Sequence, residues 1–132
     1  EELHDKIVEL EKASKDNTGI NFTIALNYGS RDEMVRAMRH MADDLSSGNL
    51  SKDEITEEVF NGYLDTKELP DPDLMIRTSG ELRLSNFLLW QMAYTEFYFT
   101  DVAWPDFNKA ELIKAIEKYN QRDRRYGGVK EE

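Results

Sequence analysis

The chain has 132 residues, which is enough for one hydrophobic core and too few for two. It carries 27 acidic and 17 basic residues, and the resulting net charge of −10 argues against binding to nucleic acid or to an anionic membrane. Cysteine is absent, which excludes disulfides and thiolate zinc sites, and no apolar stretch approaches the roughly 20 residues of a membrane-spanning helix.

The chain opens with a helical pattern followed by a strand pattern. The spacing of Leu3, Ile7 and Leu10 predicts a short surface helix over residues 2–15. Residues 20–28 are rich in β-branched and aromatic side chains without clean alternation. This composition predicts a buried strand that is covered on both faces, as parallel strands are.

Two capping signals predict the next two helices. Ser30 stands three residues before Glu33, so that hydroxyl and carboxylate can each accept a hydrogen bond from backbone amides at a helix start. Ser51 and Glu54 repeat this spacing and predict a short helix between residues 51 and 64. The first of these helices has an apolar stripe that we expect to face the core, formed by Met34, Met38, Met41 and Leu45.

The second half of the chain continues the alternation. A proline-containing corner at residues 69–72 leads into a second buried strand at residues 73–78. Residues 85–94 are apolar and predict a buried helix capped by Ser85, and residues 96–100 predict a third strand.

A last helix follows Asn108, which has the spacing of a cap with Glu111. We expect Leu112, Ile116 and Tyr119 to form its inner face. The predicted element order is α, β, α, α, β, α, β, α. Such alternation predicts an α/β layered fold in which a mainly parallel sheet is flanked by helices.

The segment after the second strand is the best candidate for an anion site. Ligands of open α/β sheets bind beyond the carboxyl ends of the strands, and residues 77–86 place two arginines, three hydroxyls and a predicted helix start there. Arg77, Arg83 and Ser85 therefore suit a phosphate group. The alternative is that the arginines pair on the surface with Glu81 and other acidic residues.

Glu96 is the carboxylate of interest for a metal ion. Mg²⁺ commonly binds through one or two carboxylates together with substrate phosphates. The alternative is that Glu96 is an exposed strand residue. The only two histidines, His4 and His40, lie on separate predicted helices, which argues against a multi-histidine metal site.

Four blocks of sequence carry a resemblance to a known family. They are IRTSGE at residues 76–81, RLSNFLLWQ at 83–91, YTEFYF at 94–99 and WPDF at 104–107. Together they resemble the cis-prenyltransferases, most closely the bacterial undecaprenyl diphosphate synthases. The resemblance covers nearly the whole chain.

The resemblance implies an activity and a setting. It implies a Mg²⁺-dependent prenyltransferase that condenses isopentenyl diphosphate, with cis geometry, onto farnesyl diphosphate. The product would be undecaprenyl diphosphate, for the lipid carrier of cell-wall synthesis. It also implies a homodimer in the cytoplasm, with at most peripheral contact at the inner membrane.

The resemblance also implies roles for individual residues. Arg77, Arg83 and Ser85 would hold the diphosphate of isopentenyl diphosphate, and Glu96 would help to bind the metal.

The terminal arginine-x-glycine motif is a further element of this resemblance. Arg125 and Gly127 would reach the substrate site of the partner subunit, although the same residues are also typical of an ordinary helix stop.

Three departures from the family pattern limit this comparison. Ser30 stands where many relatives have a second glycine, and Leu82 stands where some have a metal-binding histidine. The family's N-terminal loop, which holds the allylic diphosphate and supplies the essential aspartate, has no match in this sequence. We therefore expect residues 1–132 to be the C-terminal part of a single domain, with the catalytic aspartate elsewhere and no activity alone.

Two other interpretations remain open at this stage. One is a non-catalytic accessory subunit of a heteromeric cis-prenyltransferase, which would donate its tail to a catalytic chain. The other is an acidic α/β interaction module whose arginines only form surface ion pairs.

Overall fold

The computed structural model describes residues 2–122 of the chain. Its elements, in chain order, are α1 (Glu2–Ser14), α2 (Ser30–Ser47), a 3₁₀ turn (Lys52–Glu54), α3 (Glu57–Asn61), β1 (Leu74–Arg77), β2 (Glu96–Phe99), a second 3₁₀ turn (Trp104–Asp106) and α4 (Lys109–Asn120). None of the helices within residues 2–122 has the length and hydropathy that a membrane span requires.

The sheet consists of β1 and β2, which pair in parallel. Leu74 lies beside Glu96, and Arg77 lies beside Phe99. The carboxyl ends of both strands therefore meet at one edge, where the sequence predicted a ligand site. The α4 helix packs against β2. The predicted α/β class with a parallel sheet is confirmed.

The predicted cap of the last helix is confirmed, and a glycine ends α2. The side chain of Asn108 caps α4 by accepting a hydrogen bond from the amide of Ala110 at 2.9 Å. Gly48 ends α2 with a φ of 79°, a left-handed conformation that glycine adopts without steric cost.

The capping box predicted at the start of α2 is wrong. Ser30 is the first residue of the helix, and its hydroxyl accepts a hydrogen bond from the amide of Leu89 at 2.9 Å instead of capping α2. Glu33 turns its carboxylate away from the helix start as well. Both side chains are buried, and partners distant in sequence take the place of the local amides.

The Glu33 carboxylate joins three segments of the chain. It is 1% exposed and accepts hydrogen bonds from the hydroxyl of Tyr28, from the amide of Asp65 at 2.9 Å and from the side chain of Gln91 at 3.2 Å. A buried carboxylate is costly unless donors surround it. Here three donors do so, and each belongs to a different loop.

A second residue of α2, Arg36, binds the side chain of Asp65. The guanidinium of Arg36 contacts both oxygens of Asp65, at 2.9 and 2.6 Å, in a bidentate pair. This arrangement lowers the pKa of Asp65, mainly through the hydrogen bonds from Arg36. Asp65 therefore fixes the loop after α3 to α2 in two ways, through its backbone amide to Glu33 and through its carboxylate to Arg36.

The predicted strand at residues 20–28 is wrong in the described structure. These residues belong to neither strand of the sheet, and the chain bends at residues 26 and 27. The side chains of Ile20, Phe22, Ile24 and Leu26 are exposed. A strand requires a hydrogen-bonding neighbour, and none of the described residues pairs with this segment.

The predicted helix at residues 85–94 is wrong as well. Ser85, Asn86 and Leu88 have φ values of 50°, 62° and 44°, which a right-handed helix cannot contain. The segment forms successive turns instead. Polar groups of this segment form hydrogen bonds with residues distant in sequence. For example, the carbonyl of Asn86 accepts a hydrogen bond from the amide of Ser30 at 2.8 Å.

The single helix predicted between residues 51 and 64 is divided in two. The Glu54 carboxylate accepts a hydrogen bond from the amide of Ser51 at 2.8 Å, as the capping spacing predicts. Hydrogen bonds with the side chain and then the backbone of Ser51 lower the pKa of Glu54. Only a 3₁₀ turn follows, however. The α3 helix begins later, where the hydroxyl of Thr56 accepts a hydrogen bond from the amide of Val59 at 3.2 Å.

Two predicted apolar faces are only partly buried. Met41 of α2 is buried, whereas Met38 and Leu45 are exposed and line an open groove of about 790 Å³. On α4 the buried residue is Ala115, whereas both aliphatic members of the predicted inner face, Leu112 and Ile116, are exposed. Periodicity marks an apolar face, but a neighbouring element must cover it before it becomes core.

We expect Glu33→Gln to destabilise the chain by about 2–3 kcal/mol, because the glutamine amide would face donors and leave one of them unpaired. Urea denaturation followed by circular dichroism would measure the change. Glu117→Gln, on the exposed surface of α4, is the matched control and should stay within about 0.5 kcal/mol of the wild type. Equal midpoints for Glu33→Gln and the control would contradict the role of the carboxylate.

The pH dependence of stability offers a second test. Burial and the hydrogen bond to Glu33 raise the pKa of Tyr28 from 10.0 to about 12. The stabilisation from the neutral phenol is therefore complete below pH 10 and is lost as the pH rises through about 12. We expect the difference in unfolding free energy between wild type and Tyr28→Phe to be constant below pH 10 and to shrink above it. A difference that stays constant to pH 12 would argue against this assignment.

Candidate functional site

The loops that follow β1 and β2 are tied together at the carboxyl edge of the sheet. The amide of Ser79 donates to the carbonyl of Val102 at 2.9 Å, and the amide of Gly80 donates to the carbonyl of Thr100 at 3.0 Å. Gly80 has a φ of 68°, and a β-carbon there would lie 3.1 Å from a carboxylate oxygen of Asp101. The turn after β1 therefore requires glycine for its backbone conformation and for its close packing.

Arg77 and Arg83 line the same small cavity at this edge. The cavity has a volume of about 140 Å³. Its remaining lining is mainly apolar and consists of Met75, Ile76, Leu84, Phe87 and Met92. The structure thus brings together the two arginines that the sequence analysis identified. The apolar lining lowers the local dielectric constant and so strengthens their attraction for an anion.

The two arginines differ in their ion pairs. The guanidinium of Arg83 pairs with Glu81, and the two side chains are 62% and 41% exposed. Such an exposed pair contributes little to stability and can exchange for another anion. Arg77 is half-buried and forms no ion pair with any residue that the structure describes. The alternative interpretation from the sequence, surface pairing with Glu81, therefore holds for Arg83 and not for Arg77.

Ser85 does not join the arginines in this cavity. It is exposed, and it has a left-handed φ where a helix start was predicted. Among the residues that line the cavity, no helix N-terminus contributes backbone amides. Diphosphate binding by Ser85 stays a prediction.

Glu96 lies at the opposite edge of the sheet. It is the first residue of β2 and pairs with Leu74, whereas Arg77 pairs with Phe99, three residues further along β2. At about 3.3 Å per residue, Glu96 and the arginine edge are separated by roughly 10 Å of strand.

Glu96 is also engaged by α4. Its carboxylate accepts a hydrogen bond from Arg122 at 2.5 Å, and the same guanidinium donates to the carbonyl of Phe97 at 2.8 Å. This pair fixes the end of α4 to the start of β2. Sequence analysis did not identify this pair.

The described residues do not fit a resident Mg²⁺ ion. Glu96 supplies one hard oxygen ligand, but Arg122 holds the carboxylate. Residues 2–122 contain no group of three or more acidic or histidine side chains that could hold a metal. Arg125 and Gly127, for which the family resemblance implies a role at the partner's site, lie outside the described residues.

Asn86 is a positioning residue that the sequence analysis did not single out. Its side-chain oxygen accepts a hydrogen bond from the amide of Arg31 at 3.0 Å, and its carbonyl accepts one from Ser30. A β-carbon on Gly29 would lie 2.9 Å from the Asn86 amide nitrogen. Asn86 therefore holds the loop before α2 against the loop beside the arginines. The one sequence signal for this role is the residue type, because asparagine tolerates a left-handed φ in a loop.

Comparison with known proteins shows a consistent set of relatives. A family model described as putative undecaprenyl diphosphate synthase matches residues 1–127. An isoprenyl transferase of Clostridium perfringens is 53% identical over 130 residues, which are 98% of this chain and 51% of that protein. One from Halalkalibacterium halodurans is 57% identical over 123 residues, which are 93% of this chain and 48% of that protein.

Solved structures give the same picture. Lavandulyl diphosphate synthase from Lavandula x intermedia, in complex with dimethylallyl diphosphate, is 44% identical and superposes with a TM-score of 0.91 over 95% of this chain and 54% of its own. A probable undecaprenyl diphosphate synthase from Campylobacter jejuni is 35% identical, with a TM-score of 0.77 over 96% of this chain and 57% of its own. The chain thus spans about half the length of the relatives it matches.

We expect Glu81→Gln to raise the affinity for inorganic pyrophosphate by about two- to fivefold, because it frees Arg83 from an exposed ion pair. Isothermal titration calorimetry would measure the change. Glu68→Gln changes the net charge equally at an exposed position away from the cavity and is the matched control. An effect of the same size in both variants would show that overall charge, and not the release of Arg83, is responsible.

Proposed function

The chain belongs to the prenyltransferase family of putative undecaprenyl diphosphate synthases, and on this basis we propose that it supplies the isopentenyl diphosphate site of a cis-prenyltransferase. The observation that carries the proposal is the cavity at the carboxyl end of β1, which Arg77 and Arg83 line together.

The chemistry of this cavity suits a prenyl diphosphate. Two guanidinium groups offer planar donors to the diphosphate oxygens, and the apolar lining offers a surface for a short hydrocarbon. Arg77 is available without breaking an ion pair among the described residues, and Arg83 would exchange Glu81 for the ligand. The related Lavandula enzyme was crystallised with dimethylallyl diphosphate, which supports a ligand of this class.

The proposed reaction extends an allylic chain. The isopentenyl unit held by the arginines would be condensed, with cis geometry, onto farnesyl diphosphate and its longer products. The carbon–carbon bond forms as the allylic diphosphate leaves, and a proton is lost from the isopentenyl unit. The proposed end product is undecaprenyl diphosphate, which serves the lipid carrier of cell-wall synthesis.

Mg²⁺ is part of the proposal only because the family resemblance implies it. When bound, Mg²⁺ would assist the departure of the allylic diphosphate by neutralising its charge. The described residues do not build a site for it, and Glu96 would first have to leave Arg122. We therefore assign the chain's own residues to substrate binding and assign no step to the metal.

We propose that residues 1–132 form the C-terminal part of a single cis-prenyltransferase domain. The chain spans about half of its relatives, and its described residues include no acidic cluster beside the arginine cavity. By itself it should therefore not elongate farnesyl diphosphate. The complete enzyme would be a cytoplasmic homodimer in which Arg125 and Gly127 reach the partner's site, with at most peripheral contact at the inner membrane.

A non-catalytic accessory subunit is not favoured. An accessory chain that contributes only its tail has no need of a substrate cavity. Here two arginines converge on one cavity next to a tightly built turn. The acidic interaction module is not favoured for the same reason, because Arg77 forms no ion pair with the described residues.

Titration with isopentenyl diphosphate tests the proposed function. Arg77→Ala and Arg83→Ala each remove a charge-assisted contact, and each should lower the affinity by about 1.5–3 kcal/mol, or roughly 10- to 150-fold. Arg39→Ala removes the same charge from the exposed surface of α2 and should bind like the wild type. Equal binding by all three variants would overturn the assignment of the cavity.

A further inference from the structure

Residues 83–89, here called the arginine loop, form one wall of the candidate anion cavity. Arg83, Leu84 and Phe87 all line this cavity. The loop contains neither helix nor strand, so no helical or sheet hydrogen bonds maintain its shape. Other contacts must therefore fix the position of Arg83 relative to Arg77.

The backbone of the arginine loop is strained. Ser85, Asn86 and Leu88 have left-handed φ values of 50°, 62° and 44°. Asparagine tolerates this conformation, whereas serine and leucine adopt it at a cost in free energy. Such a conformation persists only where contacts from the surrounding structure stabilise it. In this chain those contacts come from the start of α2.

The arginine loop caps α2 from a distant part of the chain. The first amides of an α-helix have no partner within the helix, and Gly29, the residue before α2, has no side chain that could bind them. The carbonyl of Asn86 accepts a hydrogen bond from the amide of Ser30 at 2.8 Å, and its side-chain oxygen accepts one from the amide of Arg31 at 3.0 Å. Asn86 thus takes the role of the missing local cap, although it lies 55 residues from Arg31.

Contacts also run from the start of α2 to the arginine loop. The hydroxyl of the buried Ser30 accepts a hydrogen bond from the amide of Leu89 at 2.9 Å. Tyr28 packs edge-on against Phe87, with ring centroids 5.7 Å apart. Because these contacts lie on both sides of Asn86, a change in the loop conformation would also disturb the start of α2.

Gly29 leaves room for the capping side chain. A β-carbon at this position would lie 2.9 Å from the side-chain nitrogen of Asn86, which is closer than ordinary packing allows. The φ of Gly29 is −147°, an extended value that any residue can adopt. Glycine is therefore required here for the space it leaves and not for its backbone conformation.

From these contacts we infer that Asn86 is a positioning residue for isopentenyl diphosphate, and that it couples the start of α2 to the anion cavity. This inference rests on the proposed function of the cavity. Asn86 is not among the residues that line the cavity. It acts through the arginine loop, by favouring the conformation in which Arg83 lines the cavity together with Arg77. Such coupling is reciprocal, so a bound ligand must also stabilise the cap of α2.

Asn86→Gly tests the positioning role. Glycine keeps the left-handed φ and the backbone carbonyl but lacks the capping oxygen, and Asn86 is exposed, so no core packing is lost. We expect the affinity for isopentenyl diphosphate, measured by isothermal titration calorimetry, to fall by about three- to tenfold, because fewer chains hold Arg83 at the cavity.

Asn108→Gly is the matched control for loss of a helix cap. Asn108 is also an exposed asparagine, and its side-chain oxygen caps α4 by accepting a hydrogen bond from the amide of Ala110 at 2.9 Å. No residue of α4 lines the anion cavity. This variant should therefore bind isopentenyl diphosphate like the wild type.

A double-mutant cycle with Gly29→Ala tests whether the effect passes through the Asn86 side chain. In the wild-type background the new β-carbon displaces this side chain, so Gly29→Ala should weaken binding by about the same factor as Asn86→Gly. In the Asn86→Gly background the clash is absent, and Gly29→Ala should have no further effect. Losses that simply add would contradict the inference.

Amide exchange measures the reciprocal effect of the ligand on α2. On saturation with isopentenyl diphosphate, exchange at Ser30 and Arg31 should slow by about threefold or more in the wild type and stay unchanged in Asn86→Gly. A cap with a purely structural role would give the same exchange rates with and without the ligand, and that result would overturn the inference.

The binding measurements separate failure of this inference from failure of the proposed function. If Arg77→Ala loses affinity while Asn86→Gly binds like the wild type, the cavity keeps its function and Asn86 has no positioning role. Equal losses in Asn86→Gly and Asn108→Gly would indicate general destabilisation and would also overturn the inference. If the wild type itself does not bind isopentenyl diphosphate, the proposed function is wrong, and so is the role of Asn86.

Discussion

The buried carboxylate of Glu33 is the interaction on which most of the described structure depends. It occupies the first turn of α2 and accepts hydrogen bonds from residues before this helix, after α3 and before β2. Without it, each of those loops would present a buried donor with no acceptor. These hydrogen bonds give the three segments a defined position, although the segments before α2 and before β2 contain neither helix nor strand next to the bonded residue.

The parallel register of the sheet decides which candidate residues can act together. Because both strands end at the same edge, the loops after them bond to each other, and Arg77 and Arg83 share one cavity there. Glu96 belongs to the other edge and supports the packing of α4 through Arg122. Within the described chain, the candidate anion cavity and the candidate metal ligand are therefore separate in space, although the family resemblance implies both.

The uncovered apolar surfaces have a common physical meaning. Met38 and Leu45 on α2 and the alternating side chains of residues 20–27 carry the patterns of buried elements, yet they face solvent. Apolar periodicity in a sequence indicates which face of an element is suited to burial, but it does not identify the element that covers this face.

The sequence by itself determined the features that depend on neighbouring residues: the positions of α2 and α4 along the chain, the two strands around Met75 and Phe97, the choice of the two arginines and the family. Only the tertiary structure decided the partners of Ser30 and Glu33, the separation of Glu96 from the arginines, and the absence of helix at residues 85–94 and of strand at residues 20–28. Helix caps and apolar periodicity act within a few residues, so that they can be recognised along the chain. A strand exists only where a second backbone meets it, and a capping side chain leaves its local amide when a distant donor offers a better-buried hydrogen bond.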